Sequence, residues 1–85
     1  MDKKKVIELR GKAQSIRASV QVGKEGLTPA VVEELVRQLK KHKLVKVRLL
    51  PSFETDRKAG GDALARASSS VLIEVRGRTV VLARD

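Results

Sequence analysis

Apolar residues recur along this 85-residue chain at two spacings, and the spacing indicates which segments are helices and which are strands. The clearest helical spacing is i, i+3, i+4, i+7, which places apolar side chains on one face of a helix. This pattern is formed by Val32, Leu35, Val36 and Leu39. Thr28 is a good N-cap before it and Pro29 suits the first helical position, so we predict a helix beginning there. The lysines at 40, 41 and 43 suit its C-terminal end.

The beginning of the chain has a similar spacing, which predicts a first helix with Asp2 as its cap. Its apolar positions are Val6, Leu9, Ala13 and Ile16. Gly11 lies inside this pattern, where glycine costs about 1 kcal/mol relative to alanine. We therefore expect close packing or close approach of a ligand at Gly11. Residues 19–22 then alternate as a short strand.

The segment "LVKVRLL" alternates as a second strand, with Val45, Val47 and Leu49 on one face. Lys46 and Arg48 lie on the other face. A strand, a helix and another strand in close succession predict a parallel pair joined by a right-handed crossover.

Residues 51–70 are ambiguous. One helix face would be formed by Ala59, Ala63, Leu64 and Ala67. Gly60 and Gly61 disfavour a helix, and the pattern alone does not decide.

The C-terminal segment "SVLIEVRGRTVVLAR" predicts a hairpin with Gly77 and Arg78 as a two-residue type II′ turn. This register pairs Val75 with Val80 and keeps apolar residues on one face. It also pairs Ile73 with Leu82, and Arg76 with Thr79.

These segments predict one α/β domain over residues 1–85, with two layers: a four-stranded mixed sheet and helices packed on one apolar face. The open face would carry Lys46, Arg48 and Arg76 but no aromatic ring. This disfavours RNA readers that stack bases on sheet aromatics.

Charge then suggests a partner. Nineteen Lys and Arg against ten Asp and Glu give a net charge of +9. A nucleic acid is the obvious partner, because each neutralised phosphate releases counterions. An acidic membrane surface and simple solubility are the alternatives. The first residues lack the apolar core of a secretory signal and no segment could span a bilayer, so we expect a cytoplasmic, monomeric protein without a membrane partner.

The residue types in the chain do not indicate a catalytic site. There is no cysteine, and the one histidine, His42, lies among lysines. No carboxylate pair, nucleophile–base pair or metal-ligand cluster stands out. We therefore expect no enzyme activity, metal, cofactor or small-molecule substrate.

The stretch "QVGKEGLTP" joins the first strand to the second helix and carries a GxxG sequence, Gly23 to Gly26. A helix N-terminus holds anions, glycines let a phosphate approach the main chain, and Lys24 adds a charge. Neither a Walker loop nor a dinucleotide fingerprint is present. Glycines at a strand–helix turn are also explained as turn residues alone.

Several ordered motifs nevertheless resemble the CRM domain (chloroplast RNA splicing and ribosome maturation) across nearly the whole chain. They are the Leu9-Arg10-Gly11 opening, the GxxG loop with Leu27 and Thr28, the "LVKV" strand, and the Gly77-Arg78 turn into "VVLAR". The resemblance implies a fold related to the C-terminal domain of bacterial translation initiation factor three. It also implies a GxxG loop that clamps RNA backbone much as in KH domains.

Stand-alone, YhbY-like members of that family are associated with maturation of the large ribosomal subunit, which implies ribosomal RNA or pre-ribosomal particles as partners. The candidate RNA-binding residues are Gly23, Lys24, Glu25, Gly26, Arg10, Lys12, Lys46, Arg48, Arg76 and Arg78. An Alba-like architectural protein that coats duplex nucleic acid is the alternative, although it would not need the GxxG loop.

Two positions depart from the family pattern. Gln14 stands where the family often has histidine, and Glu25 stands where the loop is often neutral. Glu25 either points into solvent, paired with a basic side chain that holds Lys24 in place, or lowers the affinity for phosphate.

Overall fold

The computed structural model describes residues 1–85 and contains three helices and four strands. In chain order they are α1 (Lys3–Ala13), β1 (Val20–Val22), α2 (Pro29–Lys41), β2 (Leu44–Leu49), α3 (Arg57–Ser68), β3 (Val71–Arg76) and β4 (Thr79–Ala83). The strands form one sheet in the order β1-β2-β4-β3. β1 and β2 are parallel, whereas β4 is antiparallel to both β2 and β3. The predicted α/β class with a four-stranded mixed sheet is confirmed.

Both predicted helix caps are present. The Asp2 carboxylate accepts a hydrogen bond from the Lys5 amide at 2.8 Å, and the Thr28 hydroxyl accepts one from the Val31 amide at 3.2 Å. α1 ends at Ala13, so Ile16 lies beyond the helix. Gly11 has no heavy atom near the position of an added Cβ, and the close packing expected there is therefore wrong.

The larger core lies on the sheet face covered by α2 and α3. Twelve buried residues form it, including Leu35 of α2, Leu64 of α3 and Val47 of β2. α3 is a continuous helix despite its two glycines. A Cβ on Gly60 would lie 2.7 Å from the Phe53 ring, so this glycine makes room for the only aromatic side chain. Close packing against the core thus outweighs the low helix propensity of glycine.

α1 packs on the opposite face of the sheet, which corrects the predicted two-layer arrangement with helices on one face. Its buried residues Leu9 and Ala13 form a second cluster with Ile73, Val81 and Ala83. The strand "TVVLA" is apolar on both of its faces, and this is typical of a strand that is covered on both sides. Only the part of this face that α1 does not reach remains open.

The terminal hairpin has the predicted turn but not the whole predicted register. Val75 pairs with Val80 and Arg76 with Thr79, as expected. An irregularity between Leu72 and Glu74 shifts the ladder, so that Leu72 pairs with Leu82. The predicted pairing of Ile73 with Leu82 is therefore wrong, and Ile73 contributes to the cluster under α1 instead. In the turn, Gly77 has a φ of +57° and Arg78 does not have a positive φ, as a type II′ turn requires.

Candidate nucleic-acid interface

Three connections meet at one end of the sheet. Parallel strands end on the same side, so the β1–α2 and β2–α3 loops are neighbours, and the antiparallel β3–β4 turn reaches the same end. The Leu50 amide donates to the Val22 carbonyl at 2.8 Å, and the Leu49 amide donates to the Arg78 carbonyl at 2.7 Å. We call this surface, formed by residues 23–26, 50–52 and 77–78, the loop end.

The GxxG sequence forms a tight turn at the loop end. The Gly26 amide donates to the Gly23 carbonyl at 3.0 Å, which places Lys24 and Glu25 at the exposed corners. Gly26 has a φ of +69°, a conformation that other L-residues rarely adopt. Glycine at this position is therefore required by the shape of the turn itself.

A glycine is needed at position 23 for a different reason. A Cβ at this position would lie 3.2 Å from the Ser52 hydroxyl oxygen and 3.4 Å from Leu50 Cδ1. The first glycine thus lets the turn pack closely against the β2–α3 loop. The backbone conformation at Gly26 and the close packing at Gly23 each explain a glycine without a bound ligand.

The free backbone donors lie between the glycines and at the start of α2. The Val31 amide is bonded to the Thr28 side chain and the Val32 amide to the Thr28 carbonyl, while Pro29 has no N–H. Within residues 23–30, the amides without an acceptor in the chain are those of Gly23, Lys24, Glu25, Leu27 and Ala30. The helix N-terminus itself therefore offers one free amide, and most of the available donors belong to the turn.

Four unpaired cations lie at the loop end or on the open sheet face next to it. Lys24 is exposed on the turn, and Arg78 is exposed on the hairpin, with its guanidinium 3.5 Å from the Leu50 carbonyl. Arg48 and Arg76 are exposed on the open sheet face and flank Thr79 in the ladder. None of the four forms an ion pair, and all four remain free to contact an anion.

Glu25 is also exposed and has no ion-pair partner. The basic partner that would hold Lys24 in place is absent from the structure. A carboxylate beside free amides and a free lysine opposes an incoming phosphate, although solvent screening keeps this effect small.

The remaining candidate residues lie elsewhere. Lys46 is half-buried, and its ammonium group donates to the Ala13 and Ile16 carbonyls at 3.1 and 3.3 Å, so it fastens the end of α1 to the sheet. Arg10 lies near the β3 edge, with its Nε 3.5 Å from Glu74. These contacts give Lys46 and Arg10 structural roles apart from the loop end.

Lys12 is on α1, 3.4 Å from Glu8. The hydrogen bond from Lys12, together with the charges of Lys5 and Lys12, lowers the pKa of the Glu8 carboxyl. The paired carboxylate offsets part of the positive charge of Lys12, which is also distant from the GxxG turn.

A second basic surface lies at the other end of the sheet, and the sequence analysis did not identify it as a group. The end of α2, the end of β4 and α1 surround a groove of about 900 Å³ there. Its cations are Lys5, Lys12, Lys41, Lys43 and Arg84. The lysines at the C-terminal end of α2 were visible in the sequence, but only the fold brings them close to Arg84.

No three His, Cys, Asp or Glu side chains come together in a way that could hold a metal ion. None of the three helices combines the length and the apolar character needed to cross a bilayer.

One known family matches almost the whole chain. The model of the CRS1/YhbY (CRM) domain matches residues 1–84. The chain belongs to this family. This chain is 32% identical over 77 residues to the "Probable RNA-binding protein YqeI" of Bacillus subtilis. The match covers 91% of this chain and 80% of the relative.

Two further relatives extend the comparison. The "Probable RNA-binding protein PA4753" of Pseudomonas aeruginosa is 38% identical over 63 residues, which cover 74% of this CRM chain and 61% of that protein. The solution structure of the hypothetical protein SAV1595 from Staphylococcus aureus superposes with a TM-score of 0.87 at 28% identity, covering 100% of this chain and 88% of the other. The whole CRM fold described above is therefore shared with a solved structure.

Proposed function

We propose that this CRM domain binds the phosphate backbone of structured RNA through its loop end. The observation that carries the proposal is the combination of free turn amides at Lys24 and Glu25 with four cations that have no carboxylate partner. Backbone amides and arginine or lysine side chains are the groups that proteins use to hold phosphates. The net charge of +9 adds a long-range attraction.

The relatives support RNA as the class of nucleic acid, since two of them are named as RNA-binding proteins. Within that class, we propose that the protein acts as a factor in assembly of the large ribosomal subunit or in RNA folding, as a monomer in the cytoplasm. Its role is binding rather than catalysis, and it needs no cofactor or small-molecule substrate. Crosslinking in cells followed by sequencing of the bound RNA tests the ribosomal target, and light scattering tests the monomer.

Salt dependence tests the electrostatic part of the proposal. If Lys24 and Arg78 of the loop end and Arg48 and Arg76 of the open face each neutralise one phosphate, log K should fall against log[salt] with a slope of roughly −3 to −4, at about 0.7 to 0.9 per phosphate. The measurement is fluorescence anisotropy with a labelled RNA hairpin between about 50 and 300 mM salt, a range in which such contacts are strongly screened. A flat response would contradict backbone binding.

Substitution of Lys24 tests the location. Lys24→Ala should weaken hairpin binding roughly threefold to fivefold, as expected for one exposed charge contact, and change stability by less than about 0.5 kcal/mol. Arg66→Ala is the matched control, because Arg66 is exposed near the C-terminal end of α3, away from the loop end. Equal losses in both variants would indicate a diffuse charge effect and contradict a loop-end site.

The Alba-like alternative makes a different prediction. A protein that coats duplexes should prefer long double-stranded DNA to a structured RNA of equal length, and it should not depend on the GxxG turn. Competition between the two nucleic acids for the unaltered protein, repeated with Lys24→Ala, distinguishes the two functions.

A further inference from the structure

The open part of the sheet face carries a second feature that backbone binding does not use. Two rows of side chains run across the strands beyond the end of α1. The outer row, next to the loop end, consists of Gln21, Arg48, Thr79 and Arg76. The inner row consists of Lys46, Val81 and Glu74.

The inner row and the last turn of α1 enclose a groove of about 320 Å³. Its floor is apolar and small, formed by Ala13 and Val81, which are both 2% exposed. Lys46 stands on one side and Glu74 on the other, with the Gln14 amide and Arg76 at the rim. Such a volume is at the low end of the range of about 300 to 1,000 Å³ for small-ligand sites.

Glu74 is the unexpected group in this groove. Its side chain is 19% exposed, and its closest charged neighbour is Arg10 at 3.5 Å, beyond the length of a strong charge-assisted hydrogen bond. The carboxylate accepts no hydrogen bond of 3.5 Å or less from the chain, apart from this ion pair. On a basic surface that attracts phosphates, this carboxylate repels the backbone, and its unused lone pairs can accept from a ligand that presents N–H donors.

A nucleobase supplies such donors, and the two sides of the groove select among the four bases. Guanine alone presents two adjacent donors, N1–H and the N2 amino group, which match the two oxygens of a carboxylate. Beside them its O6 is an acceptor for the Lys46 ammonium group, which has one donor left beyond its bonds to the Ala13 and Ile16 carbonyls. Unpaired bases in RNA loops are read on these edges, and an arginine plane can take the stacking role of an aromatic ring.

The groove lies close enough to the outer row for one nucleotide to place its phosphate at the outer row and its base in the groove. The two rows are two residues apart along each strand, a separation of about 7 Å. A phosphate held by Arg48 and Arg76 would leave its base free to reach the inner row. We propose that the groove between Lys46 and Glu74 binds one unpaired guanine base, so that the domain has a base preference in addition to its grip on the backbone. This inference rests on the proposed RNA binding.

The test uses RNA hairpins that differ at a single unpaired loop position. The unaltered protein should bind the hairpin with guanosine roughly fivefold or more tightly than the same hairpin with inosine, which lacks the N2 amino group, because hydrogen bonds to charged groups are strong. Hairpins with adenosine, cytidine or uridine at that position should bind about as weakly as the inosine hairpin. Anisotropy at fixed salt measures all five affinities.

Glu74→Gln should abolish the difference between guanosine and inosine, because the amide cannot accept both donors. Glu33→Gln is the matched control, since it removes one negative charge from an exposed position on α2 and should raise every affinity slightly without changing the preference. Far-UV circular dichroism shows whether both variants remain folded.

Equal affinity of the unaltered protein for guanosine and inosine hairpins would overturn the inference. A guanosine preference that persists in folded Glu74→Gln would overturn it as well. Either result leaves backbone binding intact, whereas failure of the unaltered protein to bind any hairpin would reject the proposed function itself.

Discussion

The two faces of the sheet differ in how completely they are covered. α2 and α3 cover one face with twelve buried residues, all of them apolar. α1 covers part of the other face with a cluster of five buried residues and leaves the outer row and the groove beside the inner row uncovered. One side of the sheet is therefore a continuous core, while the other side divides its area between a small core and the open surface on which we propose that RNA binds.

The largest expected effect compares the same substitution in the two clusters. Leu64→Ala should lower the free energy of unfolding by about 3 to 4 kcal/mol, because Leu64 is fully buried in the larger core. Leu9→Ala should lower it by about 2 kcal/mol, because α1 packs on one side only and can relax into the space. Urea denaturation followed by far-UV circular dichroism measures both, since the chain has no Trp or Tyr. Equal losses would show that the two faces are equally well packed.

Glycine substitutions sharpen the same comparison. Gly60→Ala adds a methyl group 2.7 Å from the buried Phe53 ring, so we expect a net loss of about 1 kcal/mol after the gain in helix propensity. Gly11→Ala meets no neighbouring atom in α1 and should raise stability by about 1 kcal/mol. The same denaturation experiment should therefore give opposite signs. A stabilised Gly60→Ala variant would mean that the Phe53 ring moves easily.

The exposed arginines of the outer row should affect binding but not folding. Arg48→Ala should weaken hairpin binding roughly threefold and reduce the salt slope by about 0.7 to 0.9, the value for one phosphate. Stability should change by less than about 0.5 kcal/mol, because the side chain is exposed and unpaired. An unchanged salt slope would place the RNA path off the open face.

The smallest expected effect is that of Glu25. Because the structure gives its carboxylate no basic partner, Glu25→Gln should remove a weak repulsion of about 1 kcal/mol or less. Hairpin affinity should rise less than about fivefold at low salt, and the gain should shrink as salt increases. A fall in affinity would instead indicate that Glu25 holds Lys24 in place when RNA is bound. A large gain independent of salt would point to a steric role.

The regular elements with local signals were predictable. The caps at Asp2 and Thr28, the apolar stripe of α2 and the Gly77 turn each depend on residues close together in the chain, and the structure contains all of them. The α3 helix was ambiguous because its glycines make room for Phe53 and for β3 side chains, and this packing is not visible in a local pattern.

The candidate site was predictable in part. The GxxG turn and Lys24 were identified from the sequence, and the structure places Arg78 beside Leu50 of the neighbouring loop and Arg48 and Arg76 on either side of Thr79. That Lys46 would be used to fasten α1 could not be predicted, because its carbonyl partners lie more than 29 residues away. Lys46 lies near these carbonyls because α1 packs on the face of the sheet that carries the Lys46 side chain.

The sequence by itself determined the starts of α1 and α2, the alternation of the strands, the turn between Gly23 and Gly26 and the excess of positive charge, since propensity, backbone conformation and net charge are local or additive quantities. Only the tertiary structure decided that α1 crosses to the second face, that Ile73 turns towards it, and that Glu74 stands opposite Lys46 across a groove. Those arrangements result from burying apolar surface between segments distant in the chain, where the gain belongs to pairs of elements and not to either one alone.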